Sequence, residues 1–362
     1  MSDILRIAGI VLLVISQASC QQQSKRVQLN LEEGFQFKAK LTVARGYLTK
    51  LVGVDKWFKD EREVTTEFLC RVIEERSDGN MRIEFNYKRI RDCFAGRQYD
   101  SADPNTTRHQ WARTYIEEAF DALVGRSFIA QVGPDGVVRE VEGLDELWRD
   151  LHNALAFRPT RKMEDSFRKQ MEDLYERDFQ KFVGDYWPLS QDRLKETIQQ
   201  LFLVWPQVAI DTGASWYTRD TLPALALRRA NFWTLKSTQA NTAVVELISD
   251  VHTDSSLCDP NIPEIDSWDS IDFLGSICQW CRRKVNPVSI YAGERKGSFN
   301  VDLKSGLLRD AMWTEELSGI VPGGEKGETE RIAIPSKRTQ SVSVQITLQG
   351  NNGTSKASES HP

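Results

Sequence analysis

Cys20 is the residue of this 362-residue chain whose setting most clearly specifies a reaction. It closes Ser16-Gln17-Ala18-Ser19-Cys20, which follows the apolar run Ile7 to Ile15, broken only by Ala8 and Gly9, and a head carrying Arg6. A basic head, a short apolar core and small residues before a cysteine form an export signal of the bacterial lipoprotein kind, with that thiol as lipid acceptor. Asp3 opposes Arg6, and Gln17 stands where such signals usually have Leu, while Ala18, Ser19 and Cys20 fit. An ordinary secretory signal cleaved nearby would export the chain equally. The run is too short to cross a bilayer core of about 30 Å, which takes roughly twenty helical residues. Lipid added at Cys20 would contribute about 0.8 kcal/mol per buried methylene. The expectation is an exported chain, lipid-anchored to a bacterial membrane and facing the periplasm or the exterior.

Other reactive residues are less specific. Cys278-Gln-Trp-Cys281 has the spacing of a redox or zinc knuckle, but no βαβ unit precedes it. A zinc site recruiting His252 and Cys258 would match no standard spacing. Local disulfide bonding among Cys258, Cys278 and Cys281 is therefore expected, in keeping with an oxidising compartment. With Cys70 and Cys93 that makes an odd set, so one thiol is left over or pairs with another chain. Ser215 in Gly213-Ala214-Ser215-Trp216 suggests a nucleophile elbow only superficially. That elbow needs Gly two positions on, where Tyr217 stands, and strand-like sequence follows. His109, His152 and His252 are isolated, and Glu63–Glu67 and Glu172–Asp173 read as solvated faces. No Gly-rich phosphate loop occurs. The expectation is no catalytic residue, no metal ligand and no cofactor, with ligand-binding residues unassigned.

The formal net charge of −5, with Lys and Arg dispersed, excludes a nucleic-acid surface. Ten Trp and sixteen Phe supply a sizeable core.

These residues must be positioned by strands for most of the chain. Phe35, Phe37, Ala39, Leu41 and Val43 alternate with polar residues, one face dry and one wet. Arg62 to Glu75 and Met81 to Phe94 form a hairpin around Ser77-Asp78-Gly79-Asn80. Pairing Ser77 with Asn80 sets Cys70 opposite Tyr87 and Val72 opposite Phe85, and places Phe68, Cys70, Val72, Ile83, Phe85 and Tyr87 on one face. Cys93 then lies about 20 Å along the strand from the partner of Cys70, which excludes a bond between the two cysteines. Trp111 to Val124 reads as a helix ended by Gly125. Ser127 to Val141 is a hairpin reversed at Pro134-Asp135-Gly136. Helical stripes follow over Leu144–Leu155, Met163–Phe182 and Leu194–Phe202. Strands return at Phe232 to Lys236, Thr242 to His252, Ser298 to Leu303, Leu307 to Thr314 and Val342 to Leu348.

The expected fold is α+β: antiparallel, curved β-sheets in two strand-rich halves with a helical middle segment packed on them. The boundaries are 1–19 export signal, 20–28 polar tether, 29–143 first strand-rich half, 144–204 helical middle, 205–348 second strand-rich half and 349–362 disordered tail.

Several short runs, taken in order, resemble one family. They are Tyr99-Asp100-Ser101-Ala102-Asp103-Pro104, Ala122-Leu123-Val124-Gly125-Arg126-Ser127-Phe128 leading into Pro134-Asp135-Gly136, Val141-Glu142-Gly143-Leu144-Asp145, Pro206 with Gly213-Ala214-Ser215-Trp216, and Asp302-Leu303-Lys304-Ser305-Gly306-Leu307-Leu308. From about Leu29 to Leu348 the chain is similar to the exported bacterial proteins known only as domain-of-unknown-function family 6263. It departs from them at Ala214, where an acidic residue is common, and in a cysteine-bearing insertion around Cys258 to Cys281. The resemblance implies a secreted or lipid-anchored location and no activity.

Three readings of function follow, one of them a hydrolase whose site no motif reveals. An apolar cleft between sheet and helical middle would bind an apolar or lipid-like molecule. Alternatively, the chain is an envelope structural or interaction protein holding a protein partner. Either way the membrane is met through the lipid anchor, and no nucleic acid is involved.

Overall fold

The computed structural model describes residues 27–50, 57–94, 96–103, 115–155, 191–222, 227–253, 290–326 and 330–349. The leader with Cys20, the helix expected over Met163–Phe182, the group Cys258, Cys278 and Cys281, His109 and the tail from 350 lie outside these residues.

One antiparallel sheet of twelve strands accounts for the architecture. Its strands are β1 Gln36–Lys50, β2 Trp57–Glu75, β3 Met81–Phe94, β4 Arg97–Asp100, β5 Ser127–Val132, β6 Val138–Glu142, β7 Ser215–Leu222, β8 Leu227–Gln239, β9 Thr242–Thr253, β10 Ile290–Asp302, β11 Leu308–Lys326 and β12 Glu330–Leu348. The order is β6-β5-β3-β2-β1-β12-β11-β10-β9-β8-β7, with β4 paired to β3 outside that path. The first and last strands are neighbours at the centre, where Phe37 pairs with Leu348 and Thr49 with Ser336. The two strand-rich halves are thus joined into one sheet.

This overturns the expected α+β fold with its helical middle. Among the described residues the helices are α1 Tyr115–Leu123, α2 Leu144–Leu155 and α3 Gln191–Gln199, none longer than twelve residues. Physically, the sheet covers itself. Alternate residues of β1, β2, β3, β5, β8, β9, β10, β11 and β12 point into a shared interior, where Phe37, Phe68, Phe85, Phe120 and Phe128 are fully buried. Outward neighbours such as Phe232, Ile248 and Met312 are exposed. A sheet curled around its own apolar face needs little helical cover. Among the described residues, α1 adds Phe120 and Leu123 to the core, α2 adds Leu144, Leu147 and Leu151, and α3 with the turn after it adds Leu194, Ile198, Leu201 and Phe202.

Curling is enforced where one short segment touches both edge strands. Gln199 accepts from the Val138 backbone N–H of β6 at 2.9 Å and donates to the Gly136 carbonyl at 3.0 Å, which blocks that open edge. Five residues on, the Trp216 indole of β7 donates to the Val204 carbonyl at 3.1 Å, and Trp205 N–H donates to the Asp135 carbonyl at 2.9 Å. Gly136 is required here. Its φ is 76°, and a Cβ would meet the Leu203 carbonyl oxygen at 2.1 Å. The chain entering β1 closes the same end: Leu29 N–H donates to the Pro134 carbonyl and Asn30 N–H to the Ser305 carbonyl. Val27, Leu29 and Leu31 are buried.

The β2–β3 hairpin corrects the expected register. Arg76 N–H bonds the Asn80 carbonyl, so the loop is Ser77-Asp78-Gly79 with Gly79 at φ 79°. A bulge between Val72 and Glu74 adds a further residue, so that Cys70 pairs with Phe85 and Val72 with Ile83. The total slip is two residues, which preserves parity. Phe68, Cys70, Val72, Ile83, Phe85 and Tyr87 therefore share the buried face as expected.

Candidate functional site: a polar belt across the inner face

Hydrogen-bonded register places side chains of successive strands in rows across the inner face. One row is apolar: Val64, Val43, Val342, Trp313, Gly297, Leu247, Trp233 and Trp216, from β2 to β7. Two residues further along each strand the character changes. Arg62 pairs with Arg45, Arg45 with Gln340, Gln340 with Glu315, Glu315 with Arg295, Arg295 with Ser249, Ser249 with Asn231, and Asn231 with Thr218. A polar belt thus crosses eight strands above an apolar floor. The next row includes Arg338, Leu317, Gly293, Val251 and Arg229. Beyond the belt, Leu227, Val251, Tyr291 and Leu317 form a second buried apolar cluster, separate from the main core.

At the centre, Arg229 Nε donates to Glu315 Oε2 at 2.7 Å, with side chains 6% and 1% exposed. These residues sit on strands separated by β9 and β10. Flat strands about 4.8 Å apart would hold them too far apart. The curl of the sheet, with small Ser249 and Gly293 between them, permits the contact. Arg295 lies face-on over the Trp313 ring, its Cζ 3.9 Å from the centroid. Gly297 makes that possible, since a Cβ there would stand 2.5 Å from Trp313 Cβ. Arg338 donates to Gln340 at 3.3 Å and lies over Tyr47. Asn231 donates to Asp220 at 2.7 Å, and Trp233 to Thr218 at 2.9 Å.

Positive charge exceeds negative in this belt. Burial pushes the Glu315 carboxyl up, but Arg229, Arg338 and Arg295 together outweigh it and hold the group below its ordinary range. Arg295 goes the other way: burial, and then repulsion from Arg229, bring its guanidinium down to about 10. Buried polar atoms here without a hydrogen-bond partner among the described residues include Arg45 Nε, Asn231 Oδ1, Arg295 Nε and Glu315 Oε1. Buried charges are ordinarily paired, because a lone one is costly to desolvate.

The residues singled out from sequence lie elsewhere. Ser215 opens β7, pairs with Thr234 and shares a hydrogen bond with its hydroxyl at 2.9 Å, as a turn-to-strand residue should. His252 points outward from β9. Glu67 meets Arg91 at 3.3 Å on a partly exposed face. Cys70 is buried and Cys93 exposed, both as free thiols. No group of His, Cys, Asp and Glu among the described residues could hold a metal ion. No described helix is long and apolar enough to cross a membrane. The expected apolar cleft is not where the sheet meets the described helices, since Phe85 stacks on Phe128 there and meets Phe202 edge-on. One cleft, of about 340 Å3, lies instead beside Asp78, Asp135, Arg139 and Gln207 and is polar.

Two of the family-like short runs prove to be turns. Asp302 accepts from Lys304 N–H, Ser305 N–H and the Ser305 hydroxyl, and pairs with Arg309 at 2.6 Å. Asp100 pairs with Arg89 and accepts from Ala102 N–H, and the Ser101 hydroxyl accepts from Ile90 N–H.

Architecture and site define a β-protein with a single curled antiparallel sheet and a charged inner belt. Residues 78–308, more than half of the chain, match the model of a family of unknown function, DUF6263, and the chain belongs to that family. No curated protein matches. Among solved structures, one titled "Lipid-protein interactions in lipovitellin" is 10% identical over 89% of this chain, with a TM-score of 0.39. This chain spans only 26% of the lipovitellin chain. A mutant porin of Rh. blastica is 7% identical, covering 86% of this chain and 100% of that one, with a TM-score of 0.15. Pseudomonas aeruginosa OpdQ is 7% identical over 86% of this chain and 99% of that one, at 0.17. Likenesses this slight assign nothing to the chain.

Proposed function

We propose that this is an exported, lipid-anchored envelope protein that binds a lipid-like molecule on the inner face of its sheet. The observation that carries the reading is the order of surfaces along that face: a polar belt beside a separate apolar cluster of Leu227, Val251, Tyr291 and Leu317. An amphipathic molecule presents the same two chemistries in the same sequence. The anchor rests on Ala18-Ser19-Cys20 behind a short apolar core. Titrating an environment-sensitive fatty-acid probe onto delipidated protein tests the binding. Saturable binding that Val251→Trp abolishes supports it, and no binding overturns it. Cys20→Ser should move the protein from membranes to the soluble envelope fraction, and unchanged retention would sink the anchor.

A second reading, a protein that holds an envelope partner, has its own observation. Tyr217, Phe232 and Ile248 stand side by side in register on the outer face and are 43%, 53% and 57% exposed. Failure of the probe to bind would leave this reading in front.

A further inference from the structure

We infer that the belt contains an oxyanion site centred on Arg295, which takes the phosphate or carboxylate head of an amphipathic ligand whose chain lies on the second apolar cluster. This rests on the ligand-binding reading above and adds the chemistry of the head group.

Three guanidinium groups, those of Arg229, Arg295 and Arg338, act on the single buried carboxylate of Glu315. Arg229 gives Glu315 one short bond, at Oε2. Among the described residues Arg295 has no such bond: it is 8% exposed, its Nε lacks an acceptor, and its close partner is the Trp313 ring at 3.9 Å. A ring face stabilises a cation but accepts none of its hydrogen bonds. The geometry thus supplies a fixed, desolvated guanidinium fork with donors to spare, which is the arrangement that grips oxyanions. Glu315, Asp220 and Glu196 are the carboxylates whose charge reaches Arg295. With Arg45, Arg229 and Arg338 on or beside the same belt, Arg295 makes four guanidiniums to these three carboxylates, so a further negative charge is attracted rather than expelled. Leu317, on β11 two positions from Glu315, and Val251, on β9 two positions from Ser249, begin the apolar cluster on the same face. Head and chain contacts are therefore adjacent.

Calorimetric titration of the delipidated full chain with octyl phosphate, octyl glucoside and inorganic phosphate tests this. Octyl phosphate should bind about tenfold to a hundredfold more tightly than octyl glucoside, the factor expected of a charge-assisted hydrogen bond. Arg295→Met should bring the ratio to about one with octyl glucoside binding unchanged, and Arg295→Lys should restore part of it. An equal affinity of wild type for both amphiphiles, or a ratio that survives Arg295→Met, overturns the oxyanion site while leaving amphiphile binding in place. Inorganic phosphate binding that Arg295→Met removes, with neither amphiphile binding, keeps the anion site and overturns the lipid-like ligand. Should Arg295→Met not fold, Arg338→Gln carries the same comparison. Failure of all three probes overturns both.

Discussion

Glu315 and Arg295 are direct cross-strand partners of β11 and β10, yet Glu315 takes its short hydrogen bond from Arg229, on β8. Adjacent opposite charges in a sheet normally pair with each other. Here Trp313, one inward position before Glu315 on the same strand, draws Arg295 onto its face instead. The centre of the belt therefore holds the Arg229–Glu315 ion pair and, beside it, a guanidinium whose Nε has no acceptor among the described residues.

The Arg229–Glu315 pair is buried enough that breaking it from one side should cost much more than removing it. Arg229→Met or Glu315→Leu alone should each destabilise by about 3–5 kcal/mol by stranding a charge, whereas the double substitution should be close to neutral. Urea unfolding of the three variants measures this. A coupling energy near zero in the double-mutant cycle would show that the pair is not formed.

Acid should weaken the fold through several carboxylates. The Arg89 hydrogen bond holds Asp100 below its ordinary 3.8 against a smaller burial effect. The Gln131 hydrogen bond, helped by Arg82, holds Glu142 below 4.5. Glu315 is held down by its three arginines against burial. A carboxyl whose folded value is depressed contributes stability that is complete above its unfolded value and is lost as pH falls through the folded one. Thermal midpoints should therefore hold steady near neutrality and decline once pH drops below about 4.5. Glu315→Gln should flatten part of that decline. An unchanged slope in this variant would remove Glu315 from the account.

Much of the local structure was legible because turn chemistry and side-chain parity agree. Asp78-Gly79, Pro134-Asp135-Gly136 and Ser305-Gly306 sit at the expected reversals, and Phe68, Cys70 and Val72 share their face with Phe85. The global arrangement was not legible. Pairing of β1 with β12 joins residues some three hundred apart, and no local pattern encodes it. The belt was missed for a different reason. Val342, Val344 and Ile346 mark the inward parity of β12, and the same parity continues back through Gln340 and Arg338. Polar residues there resemble a solvated strand end, so the hydrophobic pattern stops where the site begins. Extending parity past the last apolar residue would have shown Glu315 and Arg338 facing inward.

Gly297 should be intolerant of any side chain. A Cβ would lie 2.5 Å from Trp313 Cβ, near the backbone, and the side chain cannot swing clear without leaving Arg295. Gly297→Ala should destabilise by about 1–3 kcal/mol, as overpacked interiors do. It should also shift tryptophan emission. Wild-type stability and emission in this variant would mean that the two strands do not approach this closely.

The two described thiols should differ sharply in reactivity. Cys70 is fully buried among Phe37, Phe68 and Phe85, and burial alone pushes its thiol well above the ordinary value, so almost no thiolate is present at neutral pH. Cys93 is exposed on β3 opposite Glu63. Alkylation of the native protein followed by peptide mapping should mark Cys93 within minutes. Cys70 should react slower by about 10³-fold or more, at a rate set by unfolding, and should become accessible in denaturant. Rapid native labelling of Cys70 would mean that the β1–β2–β3 interior opens far more readily than its packing implies. A recovered Cys70–Cys93 disulfide would contradict the register of the hairpin itself.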